Sequence, residues 1–220
     1  MFAVIFEVNP YPSRHQDYLD TAKALRPMLD EIDGFDSIDR FGSRQRPERL
    51  LSLSFWADEA ALTVWRTREK HHFAQTDGRE RIFADYRIRV AQVISDDVPG
   101  QPTRRPERRS AYNDLSRRNV SYMGFLEVMR QTTGGDDVTS LVGQGETMDS
   151  LYNKGKVIHV RSWSDEASAV AWRDSLLRGM DLHRESAGLR LRMVEVERDY
   201  TLRGRAQAPQ YYPEVKRASI

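Results

Sequence analysis

Five histidines and no cysteine bound the chemistry open to this 220-residue chain. Without thiols there is no cysteine nucleophile, no thiolate metal site and no disulfide, which fits a reducing, cytoplasmic setting. An imidazole titrates near neutral pH and is the natural general base, so the adjacent pair His71-His72 comes first, with His72 as the candidate base. Asn9, just past an apolar run, carries an amide that can donate to a developing oxyanion. His159 and His183 stand apart from that pair and form no recognisable metal-ligand spacing. Ser52 and Ser54 alternate with leucines and lack a nucleophile elbow, so they read as polar positions on a strand. Gly134-Gly135 and Gly143-Gln144-Gly145 lack the spacing of a dinucleotide or phosphate loop.

The elements that must hold these residues are marked by an internal echo. Phe55-Trp56-Ala57-Asp58-Glu59-Ala60 through Trp65-Arg66 returns as Ser162-Trp163-Ser164-Asp165-Glu166-Ala167 through Trp172-Arg173, an offset of 107 residues. The echo extends with indels: Val4 to Val8 aligns with Gly124 to Val128 at 120, and Arg89 to Val93 with Arg192 to Val196 at 103. A period near 100 residues is too long for a solenoid unit and suits a small domain repeated in tandem.

Repeat one reads as βαββαβ. Phe2, Val4, Phe6 and Val8 share one strand face and Ala3 and Ile5 the other, which implies burial on both sides. Pro10 and Pro12 break the ladder, a helix follows from Tyr18 to Ile32, and Gly34 stops it. Strands over Phe35 to Phe41 and Leu50 to Trp56 precede a second helix capped by Asp58. Thr67 to Arg81 finishes that helix or forms a loop, and Tyr86 to Ile94 alternates as strand four. Repeat two shows strands near Ser121 to Gln131, Lys156 to Trp163 and Leu189 to Tyr200; its first helix is reduced to a short apolar piece, Val138 to Val142. The order is that of a ferredoxin-like unit, whose sheet carries helices on one face only. The expected fold is therefore α+β: two tandem ferredoxin-like repeats, residues 1–97 and 119–202, whose sheets cover each other in an intrachain dimeric α+β barrel. A Pro/Arg-rich linker, 98–118, joins them, and 203–220 forms an extended arm. The linker arginines 104, 105, 108, 109, 117 and 118 read as solvated, or as a clamp for an anionic ligand or a contact for an acidic partner.

Lys+Arg of 34 against Asp+Glu of 33 leaves a formal charge of +1, so no nucleic acid partner is indicated. The apolar start, Met1 to Phe6, is too short for a signal peptide or a membrane span.

On Val4-Ile5-Phe6-Glu7-Val8, Leu51-Ser52-Leu53-Ser54-Phe55-Trp56, Ala60 through Arg66 and His72-Phe73-Ala74-Gln75, repeat one resembles the antibiotic biosynthesis monooxygenase family. Repeat two resembles it more weakly, through Trp163, Asp165, Glu166, Ala167 and Trp172. The resemblance implies a dimeric α+β barrel with a pocket between sheet and helices in each half. It also implies oxidation of a small aromatic or quinol substrate by dioxygen with no metal or flavin. An electron-rich substrate anion can reduce oxygen directly, leaving the protein to desolvate, orient and deprotonate it. Trp65 matches a pocket tryptophan of that family, giving a repeat-one pocket lined by Phe6, Phe55 and Trp65, with His72, Trp65 and Asn9 as catalytic candidates. A haem-degrading branch is the alternative, but Gln75 stands at its ligand position, so His71 or His72 would have to serve. A non-catalytic small-molecule-binding or stress-related module is a third reading. The expected partners are a small aromatic molecule and dioxygen, plus a further homodimer built through polar strand edges and the two arms.

Overall fold

The computed structural model describes residues 1–107, 121–129, 142–182 and 188–209. Repeat one contains β1 (Phe2–Pro10), α1 (His15–Leu25), β2 (Phe35–Ser43), β3 (Leu50–Trp56), α2 (Glu59–Thr67), α3 (Glu69–Asp77) and β4 (Phe83–Asp97). Repeat two contains β5 (Ser121–Met129), β6 (Glu146–Ser150), β7 (Lys156–Trp163), α4 (Glu166–Leu182) and β8 (Leu189–Thr201). The expected short apolar piece before β6 and the glycine pair 134–135 lie outside the described residues, Val142 excepted. So do His183 and the linker arginines 108, 109, 117 and 118.

All eight strands pair antiparallel into one closed barrel in the order β1-β3-β2-β6-β7-β5-β8-β4. Each repeat contributes the ferredoxin-like set of four, and the sets are joined by β4 to β8 and by β2 to β6. Strand registers follow the sequence echo. Phe2 faces Trp56 and Tyr122 faces Trp163, which reproduces the offsets of 120 and 107. Phe2 also faces Gln92 and Tyr122 faces Glu195, which reproduces 103. The β2–β6 seam is the short one, Phe41 to Ser43 against Met148 to Ser150, so Phe35 to Asp39 of β2 pair with β3 alone.

The two faces of β1 are both buried because they look into different cores. Ala3, Ile5, Leu51, Leu53 and Phe55 meet Phe125, Ile158 and Val194 inside the barrel. Phe2, Val4 and Trp56 face outward beneath α2, and Phe6 and Val8 beneath α1 and the turn before β4.

Charge closes the interior at each end. Glu7 on β1 is held by Arg49 and Arg89, and Arg49 also reaches Glu146 at 3.5 Å. The counterparts do the same: Glu127 is held by Lys156 at 2.7 Å and Arg192 at 2.5 Å, and Lys156 also reaches Asp39 at 3.1 Å. Arg87 pairs with Asp199, and its counterpart Arg190 pairs with Asp96 at 2.7 Å. Burial alone would raise the Asp96 and Asp199 carboxyls, but the facing arginines overcome it and hold both below the usual carboxylate range. Arg87 and Asp96 lie nine residues apart on β4, roughly 30 Å at about 3.3 Å per residue, so the clusters sit at opposite mouths.

Candidate functional site

The site is built where α2 lies on the outer face of repeat one. Asp58 caps α2, its carboxylate accepting from the Ala61 amide at 2.9 Å, as its position before Glu59-Ala60-Ala61 implied. Glu59 in the first turn is 3% exposed and paired with Arg198 from β8, so a strand of repeat two anchors a helix of repeat one. Ala61, Leu62 and Trp65 then face the sheet, packing with Phe2, Val4 and Trp56.

Arg68 adopts extended backbone, which ends α2 and turns α3 back alongside it. This brings His71 onto Trp65: the rings stack at 4.0 Å between centroids and 18° between planes. The His71 Nδ1 lies 2.9 Å from the Trp65 carbonyl oxygen and 3.1 Å from the Gln75 side-chain amide nitrogen, which ties the ring to the end of α2. The contact satisfies an end-of-helix carbonyl of α2, and the Gln75 amide satisfies another by donating to the Arg66 carbonyl at 3.2 Å. Burial lowers the His71 pKa from 6.5 to about 4, so the ring is neutral at physiological pH.

The structure thus stacks His71, not His72, on Trp65. His72 is half-buried on α3 beside Phe73, with ring centroids 6.3 Å apart. Phe6 faces the helices, packing edge-on to Phe83 and Tyr86 in the cluster next to that of Trp65. Phe55 does not join them. Phe6 is paired with Ser52 on β3, and the alternation of a strand turns Phe55 to the opposite face, into the barrel interior. Asn9 shares the parity of Glu7 rather than Phe6 and sits at a bulge beside Pro10, away from the helix-covered face.

Sequence reasoning missed Arg40. It lies on the outer face of β2, opposite Ser52, and is 9% exposed. Its guanidinium stands beside the Tyr18 phenol of α1: burial pushes that phenol up, and Arg40 and Ser52 pull the other way. No carboxylate pairs with Arg40 among the described residues, and its buried Nε has no hydrogen-bond partner there.

Repeat two fills the corresponding space itself. Gly124 stands where β1 has Val4, and the Trp172 indole lies so close that a Cβ on Gly124 would sit 2.3 Å from its ring edge. The Trp172 Nε1 donates to the Val142 carbonyl at 3.0 Å, and the Trp163 ring centroid lies 4.9 Å away. Beneath it the Thr147 hydroxyl meets His159 Nδ1 at 3.1 Å. A polar depression at the start of the linker is lined by Asp97, Pro99, Gln101, Thr103 and Leu177, and its Asp97 is held by the Arg173 guanidinium at 2.6 Å. Among the described residues no group of three or more His, Cys, Asp or Glu side chains is placed to hold a metal ion. No described helix is long and apolar enough to cross a membrane.

This architecture, with one helix-covered space differing from its mate, defines a tandem-repeat α+β barrel of the ferredoxin-like type. The family model for antibiotic biosynthesis monooxygenase matches residues 1–77, within repeat one. The jasmonate monooxygenase ABM of Pyricularia oryzae is 35% identical over 227 positions, covering 97% of this chain and 99% of its own. The uncharacterised Bacillus subtilis protein YqjZ is 27% identical over 92 positions, 42% of this chain and 78% of its own. A solved Pseudomonas aeruginosa protein shares 19% identity with a TM-score of 0.36, covering 40% of this chain and 89% of its own. The chain belongs to the antibiotic biosynthesis monooxygenase family.

Proposed function

We propose that this protein is a monooxygenase that oxidises a small, electron-rich aromatic or quinol substrate with dioxygen, without flavin or metal, in the helix-covered space of repeat one. The observation that carries this reading is family membership along the whole chain, taken together with the Trp65–His71 stack at the edge of that space. In this reading Trp65 and Phe6 are walls, and His71 fixes the indole plane through its stack and its bond to the Trp65 carbonyl. His72 is the proton acceptor, because an imidazole with a pKa of about 4, as His71 has, is too weak a base to take a phenol's proton near pH 7. Once the substrate is an anion in a water-poor site, electron transfer to oxygen needs orientation more than further protein chemistry.

The test is oxygen uptake by the purified protein with a panel of quinols and anthrones. Trp65→Phe and His72→Ala are expected each to lower kcat/KM by at least about tenfold; uptake unchanged in both would remove this site. A second substrate class, jasmonate-type molecules, is favoured by the full-length relative that carries that name, and jasmonate belongs in the same panel.

A further inference from the structure

A guanidinium stays charged at any physiological pH, and burying it unpaired costs several kcal/mol. The chain respects this elsewhere: buried Arg89, Arg192 and Arg198 each meet a carboxylate, from Glu7, Glu127 and Glu59. Arg40 does not. Its neighbour Asp39 points to the other face of β2, where Ser150, Asn153 and Lys156 hold it.

The surroundings of Arg40 have a direction. Strand pairing sets Arg40 opposite Ser52, Ser52 opposite Phe6 and Phe6 opposite Ile88, one row across four strands on the outer face. The row is polar at β2 and apolar at β1 and β4, and Ile88 packs against the Trp65 cluster as well as the Phe6 cluster. The matching row of repeat two is Thr147, His159, Leu126 and Leu191, which carries no arginine and closes its polar end with the Thr147–His159 hydrogen bond. Among the described residues, a buried arginine without a carboxylate is therefore particular to repeat one.

We propose that Arg40, with the Tyr18 phenol and the Ser52 hydroxyl, receives the carboxylate of a small apolar acid whose body lies over Phe6 and Ile88 toward Trp65. The planar fork of a guanidinium matches a carboxylate, and the phenol and hydroxyl supply further donors. The inference rests on the reading that repeat one holds the substrate, and it specifies the substrate class: an acid presented as its carboxylate.

Calorimetric titration with cinnamate and its uncharged analogue cinnamamide tests it without turnover. Cinnamate is expected to bind about 10- to 100-fold more tightly near pH 7, the range of a charge-assisted hydrogen bond. Arg40→Gln brings the ratio close to one, Arg40→Lys retains part of it, and the Tm of Arg40→Gln equals or exceeds that of the parent. Equal affinities in the parent, absence of measurable binding by both, a preference that survives Arg40→Gln, or a sharply lower Tm for that variant each overturns the proposal. Uptake of oxygen on a neutral quinol alongside equal binding of acid and amide sinks the carboxylate site and leaves the monooxygenase reading standing. Acid preference without oxygen uptake on any substrate does the reverse.

Discussion

Alanine at Gly124 tests the difference between the two halves directly. The new Cβ would lie 2.3 Å from a ring carbon of Trp172 and 3.1 Å from the Met193 sulfur. An indole edge is rigid, and Trp172 is pressed between Ala169, Leu176 and Leu191, so the ring has to move as a body. Overpacking of this kind costs about 1–3 kcal/mol, and loss of the hydrogen bond from Trp172 Nε1 to Val142 adds about 1 kcal/mol. The total, about 2–4 kcal/mol, corresponds to roughly 4–16 °C in Tm for a chain of this length. Thermal unfolding followed by tryptophan fluorescence measures it, with oxygen uptake recorded on the same sample at 20 °C or so below the new midpoint. The expected result is a clear loss of Tm with kcat/KM on the best substrate retained, since repeat one is untouched. A Tm within about 1 °C of the parent would refute the packing argument, and a collapse of activity in a folded variant would refute the assignment of the site to one half.

The two barrel mouths give a paired expectation: Glu7→Gln and Glu127→Gln should each cost about 1–3 kcal/mol in urea unfolding, within about 1 kcal/mol of each other, because each removes the nearer carboxylate from two cations that keep a second one in matched surroundings. Below pH 6.5 an unfolded chain protonates His71 while the folded one, with a pKa of about 4, does not, so stability falls as pH drops from about 6.5 to about 4. The full loss is roughly 3 kcal/mol, and His71→Phe should remove that part of the slope when urea midpoints are compared at both ends of the window. Arg198→Met leaves Glu59 buried beneath α2 without its cation and is expected to cost about 3 kcal/mol, with Glu59→Gln on the same background recovering part of it.

Much of the fold was legible because the two Trp-x8-Trp tracts pin strand three and helix two of each repeat, and indels can only fall between them. β6 was not, since Glu146 to Ser150 is five residues with little apolar content and pairs with strands on both sides rather than announcing itself by alternation. α3 is not announced by the sequence because Glu69–Asp77 has no dominant apolar face, its enclosed side chain being the polar His71. The misplaced Phe55 has a different origin. The face shared by Leu51, Leu53 and Phe55 was readable, as was that of Phe2 to Val8, but whether these faces coincide depends on the β1–β3 register, and Phe6 opposite Ser52 shows that they do not. His71 rather than His72 meets Trp65 because the chain breaks at Arg68, a turn no residue type there demands. Arg40 lies in an ordinary strand pattern, and only the lack of a carboxylate beside it among the described residues sets it apart.

The absence of a side chain at Gly124 also says something about how such a chain can change. In a barrel assembled from two identical subunits, any residue that plugs one cavity plugs its twin, so a loss of either is a loss of both. Joining the copies on one polypeptide releases that constraint: a single codon can seat the Trp172 indole against Gly124 in one half while Val4 stands at the matching position of the other. The cross-contacts Arg198 on Glu59 in one direction and Asp97 on Arg173 in the other tie a helix of each half to a strand of its mate, so the halves brace each other while their sequences diverge.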